Sequence, residues 1–150
     1  MKLLTAVLLT LISVKAAYAD SFVLADGSKE INVSTEDLLK LPVTSITTST
    51  NFTPKATFEG VTFKELLSKY SITASFLRVY ALDDYSYTLP VGELEKYHVI
   101  LAYRKNDKVI PVSDLGPFAV IYPRDQNPEL NKLEVNAKTV WQINRIEAIK

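Results

Sequence analysis

The chain has 150 residues, 47% hydrophobic and 23% charged, with 17 basic and 17 acidic side chains. That length suits one domain with a full core, the balance excludes a disordered chain, and zero formal charge excludes a general nucleic-acid binder, which needs excess positive charge to release counterions. Cysteine is absent, which rules out disulfides, thiol catalysis, thiolate metal sites and iron–sulfur clusters.

Lys2 gives the N-terminus a positive start, and Leu3 to Val14 is an apolar run broken only by Thr5, Thr10 and Ser13. Ala17-Tyr18-Ala19 puts small residues at the two positions a signal peptidase reads. A Sec-type signal peptide is expected over residues 1–19, cleaved after Ala19, with a single domain over residues 20–150 delivered to the periplasm or secreted. A membrane anchor fits less well. The run is short of the roughly 20 apolar residues a span needs, and Lys15 interrupts its end. Cleavage removes two basic residues and no acid, leaving a slightly acidic product with no later segment apolar enough to enter a membrane.

In chain order, Ser21–Ala25 alternates as a strand, Asp26-Gly27 signals a turn, and Glu30–Val33 returns as its hairpin partner. Ser34-Thr35 offers helix caps, with Glu36 and Asp37 in the first turn, an apolar face of Leu38, Leu39 and Leu41, and Pro42 as a stop. Val43–Thr50, rich in threonine, reads as a strand with one polar face. Thr57–Thr62 leads into a helix capped by Thr62, whose stripe is Phe63, Leu66, Leu67 and Tyr70. Phe76–Leu82 is a strand, Asp83-Asp84 a turn, and Tyr85–Leu89 a strictly alternating strand closed by Pro90. Val91, Leu94 and His98 are expected on one side of a short helix.

Val99–Asp125 is the centre of the chain. Two apolar runs, Val99–Tyr103 and Phe118–Tyr122, enclose a polar turn, a short return at Val109–Val112 and a bend at Asp114–Pro117. Two buried strands joined by a structured loop put polar residues at the edge of a core, where sites often form. Gln126–Lys138 reads as an exposed connection with one helical turn around Glu129–Leu133, and Val140–Ile149 as the last strand, with a bulge near Asn144. Short strands mixed with short helices, without regular βαβ alternation, predict an α+β domain of mixed or antiparallel sheets.

Obvious chemistry is scarce. His98 is the only histidine, no Gly-x-Ser-x-Gly elbow or Gly-rich phosphate loop accompanies it, and a helix-terminal structural role suits it best. Asp83-Asp84 is more often a solvated turn than a catalytic pair. Asp114 and Asp125 flank Gly116-Pro117 and could face one cleft. Tyr80, Tyr85, Tyr87, Tyr103, Tyr122 and Trp141 form an aromatic set that mostly reads as packing. Some of them, with Arg104, Lys108 and Arg124, would suit an anion or a flat ring. The sequons Asn32-Val33-Ser34 and Asn51-Phe52-Thr53 matter only in a eukaryotic secretory route.

The order of four segments carries a resemblance. FEGVTFKELL (Phe58–Leu67), LRVYALDDYSYTLPVGEL (Leu77–Leu94), VILAYRKNDKVIPVSDLGPFAVIYPRD (Val99–Asp125) and VWQINRIEAI (Val140–Ile149) resemble the molybdopterin-binding domain of the sulfite oxidase family. In that family a Gly-Val helix entry, an Asp-Gly-Tyr turn, an Asn-Gly hairpin, a Gly-Pro-x-Arg strand and a Trp-containing last strand follow one another. The resemblance implies that fold, molybdopterin as cofactor, and a cysteine thiolate on molybdenum upstream of the Gly-Val entry. This chain departs from it where the cofactor would be held. Thr47–Thr57 (TTSTNFTPKAT) has no cysteine, Asp83-Asp84-Tyr85 and Asn106-Asp107 replace the two glycine turns, and Phe118-Ala119 stands where the arginine after Gly-Pro belongs. The signal also lacks the twin arginines that export of a folded, cofactor-loaded enzyme uses.

The reading is therefore an exported, non-catalytic relative of that domain, a binding module for a small anionic or flat ligand or for the periplasmic domain of a membrane protein. No cofactor is expected; the alternative is an oxidoreductase holding molybdopterin without a cysteine ligand. No catalytic or metal-binding residue is assigned. The candidate ligand contacts are Tyr85, Tyr103, Arg104, Lys108, Asp114, Arg124 and Trp141.

Overall fold

A computed structural model describes residues 20–150. The expected signal peptide and its cleavage point lie outside the described residues.

Local signals start each element. β1 (Ser21–Asp26) and β2 (Lys29–Ser34) form the expected hairpin, with Gly27 at the left-handed φ of 62° that the turn needs. Helix α1 (Thr35–Leu39) opens on a capping box: the Ser34 amide donates to Asp37 Oδ2 at 2.9 Å, and the Asp37 amide donates to Ser34 Oγ at 3.2 Å. Those Ser34 hydrogen bonds hold the Asp37 carboxyl below its usual range. The helix is so short that it seats only Leu38 in the core; Leu39, expected beside it, is exposed and Leu41 is half-buried.

β3 (Thr44–Thr48) pairs with β4 (Ala56–Thr62). Thr62 caps α2 (Phe63–Lys69), its hydroxyl accepting from the Glu65 amide at 3.1 Å, and Phe63, Leu66 and Leu67 are buried as the stripe predicts. β5 (Phe76–Ala81), β6 (Ser86–Pro90) and α3 (Val91–Lys96) follow. His98 is not on the α3 face. The chain reverses there at a φ of 49°, His98 points outward, and Val99 takes the buried place with its amide donating to Leu94 O at 3.0 Å.

β7 (Ile100–Lys105), the two-residue β8 (Lys108–Val109) and β9 (Ala119–Ile121) come from the central stretch. The expected exposed connection is instead a 3-10 turn (Pro128–Leu130) and a helix, α4 (Leu133–Lys138), that buries Leu130, Val135 and Lys138. β10 (Ile143–Ile149) starts later than expected but carries the bulge, between Ile143 and Arg145.

Two sheets result. The first runs β2-β1-β10-β5-β6, with β1 and β10 parallel and its other pairs antiparallel. The second runs β3-β4-β7, and β8 and β9 both pair with β7. This is the α+β class expected. The main core lies between the sheets: Phe22, Leu24, Leu77, Val79 and Ile146 from the first meet Val61, Leu101, Tyr103 and Val120 from the second. Phe22 and Phe118 pack edge to face at 5.1 Å. A second cluster on the far side of the second sheet holds Ile46, Phe58, Ile100, Ala102 and Ile121, under Ile110, Leu115 and Trp141. β7 therefore feeds both cores, which explains its unbroken apolar run. No helix among the described residues is long and apolar enough to cross a membrane.

Candidate functional site

The seven candidate residues do not converge. Tyr103 is 2% exposed in the inter-sheet core, and its hydroxyl has no hydrogen-bond partner among the described residues. Burial pushes its phenol up against the opposing charge of Arg104, with a smaller push from Glu59. Arg104 lies further along β7, half-buried, opposite Glu59 and Val109. Lys108 and Asp114 border a shallow depression under the β7–β8 hairpin, where Asp114 is ion-paired with Lys105 at 2.8 Å. Asp125 lies elsewhere, so the two aspartates share no cleft.

Tyr85 and Trp141 do come together, in a cleft of about 300 Å³. The β5–β6 turn brings Asp83 and Tyr85, the end of α4 brings Asn136 and Thr139, the entry to β10 brings Trp141, and the β3–β4 loop brings Asn51 and Phe52. Phe52 stands edge-on to the Trp141 ring at 3.9 Å between centroids. The Tyr85 hydroxyl donates to Ala137 O at 2.8 Å and the Tyr85 amide to Asp83 Oδ1 at 3.1 Å, so this ring is fixed at both ends. Burial, with Tyr87 beside it, pushes the Tyr85 phenol up, and it stays a neutral donor.

Arg124 stands behind this cleft. It donates to Asn136 Oδ1 at 2.6 Å and to Asn131 Oδ1 at 2.7 Å, which engages the guanidinium on two amides. Next to it, Asp125 clamps the β3–β4 loop: Ser49 donates to its carboxylate from Oγ at 2.8 Å and from the amide at 3.1 Å, while the Asp125 amide donates to Thr48 Oγ1 at 3.1 Å. The Ser49 hydroxyl holds the Asp125 carboxyl below its usual range. Beyond the clamp, Thr50 Oγ1 accepts from the amides of Phe52 and Thr53, each at 3.0 Å. These bonds present Phe52 to Trp141.

Two β-sheets in this order, with the Val99–Asp125 stretch feeding both cores, now have a counterpart among solved structures. The chain shares the fold of part of a sulfane dehydrogenase. It is similar to the sulfane dehydrogenase SoxCD from Paracoccus pantotrophus, with a TM-score of 0.65 and 14% identity, over 86% of this chain and 38% of that one. The α+β fold expected from the sequence is thus shared with a solved structure. At this identity the likeness concerns fold alone, and the chain spans well under half of the neighbour's length. No protein-family model matches the chain, and no curated protein does.

The donor set does not fit a molybdenum centre of the thiolate kind. The sequence holds no cysteine. In Thr47–Thr57, where the resemblance places the thiolate, the hydroxyls of Thr47 and Thr57 bond each other at 2.9 Å, those of Thr50 and Thr53 do so at 3.0 Å, Thr48 donates to Ser49 O, and Ser49 is bound to Asp125. Among the described residues no three His, Cys, Asp or Glu side chains gather as a metal site. Among the described residues no lysine or arginine lines the cleft to pair with a pterin phosphate.

Phe52, Asn51, Asp83, Asn136 and Thr139 were not among the sequence-based candidates. The Thr50–Thr53 spacing, an ST-turn signature that presents the residue between, was the one available signal for Phe52.

Proposed function

We propose that this chain is an exported, non-catalytic binding module on a sulfite oxidase-type fold, holding a small ligand in the cleft of Phe52, Tyr85 and Trp141. The observation that carries this reading is the convergence of three aromatic side chains, two of them about half exposed (Phe52 47%, Tyr85 45%), around one concavity. Half-exposed aromatic rings in a cleft with a few polar groups are what a ligand site requires, and about 300 Å³ is the lower end of such sites. The segment that would carry a metal ligand is spent on the Ser49–Asp125 clamp. Between the expected ligand classes, the cleft favours a flat or compact organic molecule over an anion, because Asp83 is the one charged lining residue among the described residues.

Trp141 is the only tryptophan, so intrinsic emission reports this site. Titrating the purified chain with indole, quinoline and pterin should raise the melting temperature with at least one of them, because binding to the folded state alone stabilises that state, and quinoline or pterin, if bound, should also quench that emission. No response to any of the three, at concentrations up to their solubility, would contradict the reading. The alternative, a molybdopterin-dependent oxidoreductase without a thiolate ligand, draws on the fold shared with SoxCD. It predicts one molybdenum per chain.

A further inference from the structure

The charges around the cleft are lopsided. Asp83 lines it, exposed Asp84 follows directly, and no lysine or arginine is among the lining residues. Asp83 uses one oxygen to accept from the Tyr85 amide at 3.1 Å, and no ion pair involves it among the described residues. Two cations stand near the cleft without lining it: Arg124, set back behind Asn136 and engaged by two amide oxygens, and Arg78, whose charge reaches Tyr85 but which donates to Thr88 Oγ1 at 2.9 Å. Aromatic faces attract positive charge through their quadrupole, and most strongly when the cation is weakly hydrated. A single carboxylate is too little for a metal ion, which needs several oxygen or nitrogen donors, but it suffices to balance one diffuse organic charge.

We propose that the cleft binds an organic cation, an alkylammonium-type group held among Phe52, Tyr85 and Trp141 and balanced by Asp83. This rests on the cleft being the ligand site proposed above, and it adds the sign and chemical class of the ligand. Phe52 is the wall supplied by a loop, held at its base by Ser49–Asp125 and by its own amide, which donates to Thr50. Tyr85 and Trp141 are the fixed walls, the first bonded to Ala137 O and the second packed on the second core cluster.

Three probes of one shape and different charge test this: choline, the neutral 3,3-dimethylbutan-1-ol, and 3,3-dimethylbutanoate. Each is titrated into the full chain, with Trp141 emission as readout. Choline should bind roughly tenfold tighter than the alcohol, and the carboxylate weakest, as expected for a cation over half-exposed rings beside one carboxylate. Asp83→Asn keeps the oxygen that accepts from Tyr85, and it should weaken choline roughly 3- to 10-fold while leaving the alcohol unchanged. Phe52→Leu, at an exposed position, keeps apolar bulk and removes the π face; it should weaken choline more than the alcohol. Equal binding of choline and the alcohol, or a preference for the carboxylate, overturns the cation assignment and leaves the cleft as a ligand site. Silence of Trp141 toward all three, together with silence toward indole, quinoline and pterin, overturns both.

Discussion

Lys138→Met should destabilise the fold by about 2–3 kcal/mol and loosen the cleft with it. Lys138 belongs to α4, the helix that brings Asn136 and Thr139 to the site, and its side chain is 5% exposed. The ammonium donates to both oxygens of Glu93, at 3.0 and 2.8 Å, and pairs with Glu134 at 2.9 Å. Tyr122, fully buried, donates to the same Glu93 at 3.1 Å, and burial followed by the Glu93 charge pushes its phenol far up. Removing the lysine leaves Glu93 facing that buried ring without a counter-charge. Breaking a buried pair costs about 3–5 kcal/mol. Glu93 retains 22% exposure and Glu134 54%, so water recovers part of the loss and about 2–3 kcal/mol is the fair figure. Urea denaturation measures it, as a drop in midpoint at unchanged slope. A double-mutant cycle with Glu93→Gln should show the double variant less destabilised than the sum of the singles. Burial alone would lower the Lys138 pKa, but the hydrogen bonds and charges of Glu93 and Glu134 outweigh it and raise it. Its contribution is therefore complete below the pKa of an unfolded lysine and is lost as pH rises through the higher folded value. The wild-type chain should lose stability at strongly alkaline pH more steeply than Lys138→Met. A change below about 0.5 kcal/mol with no coupling to Glu93 would refute the reasoning.

Tyr103→Phe should be neutral or stabilising by up to about 1–2 kcal/mol, since it removes a buried hydroxyl without a partner; thermal unfolding checks it, and a clear loss would reveal an unrecognised bond. Gly60→Ala should destabilise by about 3 kcal/mol or more, because a Cβ there would lie 2.1 Å from Leu101 O, where β4 and β7 approach at the Glu59–Gly60 register shift; wild-type-like urea unfolding would contradict this. Asp125 should titrate below the ordinary aspartate range by NMR and return toward it in Ser49→Ala, since the Ser49 hydroxyl is the main cause of the lowering. A folded pKa below the unfolded one gives stability that is present above the unfolded value and lost as pH falls through the folded one, so that variant should lose acid sensitivity.

The fold was legible wherever a local signal decided it. Asp26-Gly27, the Ser34 box, the Thr62 cap with its stripe and the bulge near Asn144 each require only neighbours in sequence. The pairing of β1 with β10, over 100 residues apart, left no such mark, and the order of motifs, which begins at Phe58, did not reach β1. Helix α4 escaped because its inward anchor is a lysine held by two carboxylates, a pattern that reads as solvent-facing until Glu93 is known to lie opposite. Arg104 and Lys108 looked like ligand contacts because they flank apolar runs, yet β7 and its hairpin carry them away from the aromatic cleft. Tyr85 and Trp141 were legible as aromatic candidates. Phe52 was not, and Asp83 read as a solvated turn, because segments far apart in sequence supply the cleft and only tertiary structure joins them.

Molybdenum content of the protein, purified from the compartment where it is made and exported, tests the central claim most directly. A non-catalytic binding module without a thiolate should carry far less than one molybdenum per chain. One molybdenum per chain, retained through gel filtration, would contradict it and make the chain an oxidoreductase that holds its cofactor by other means.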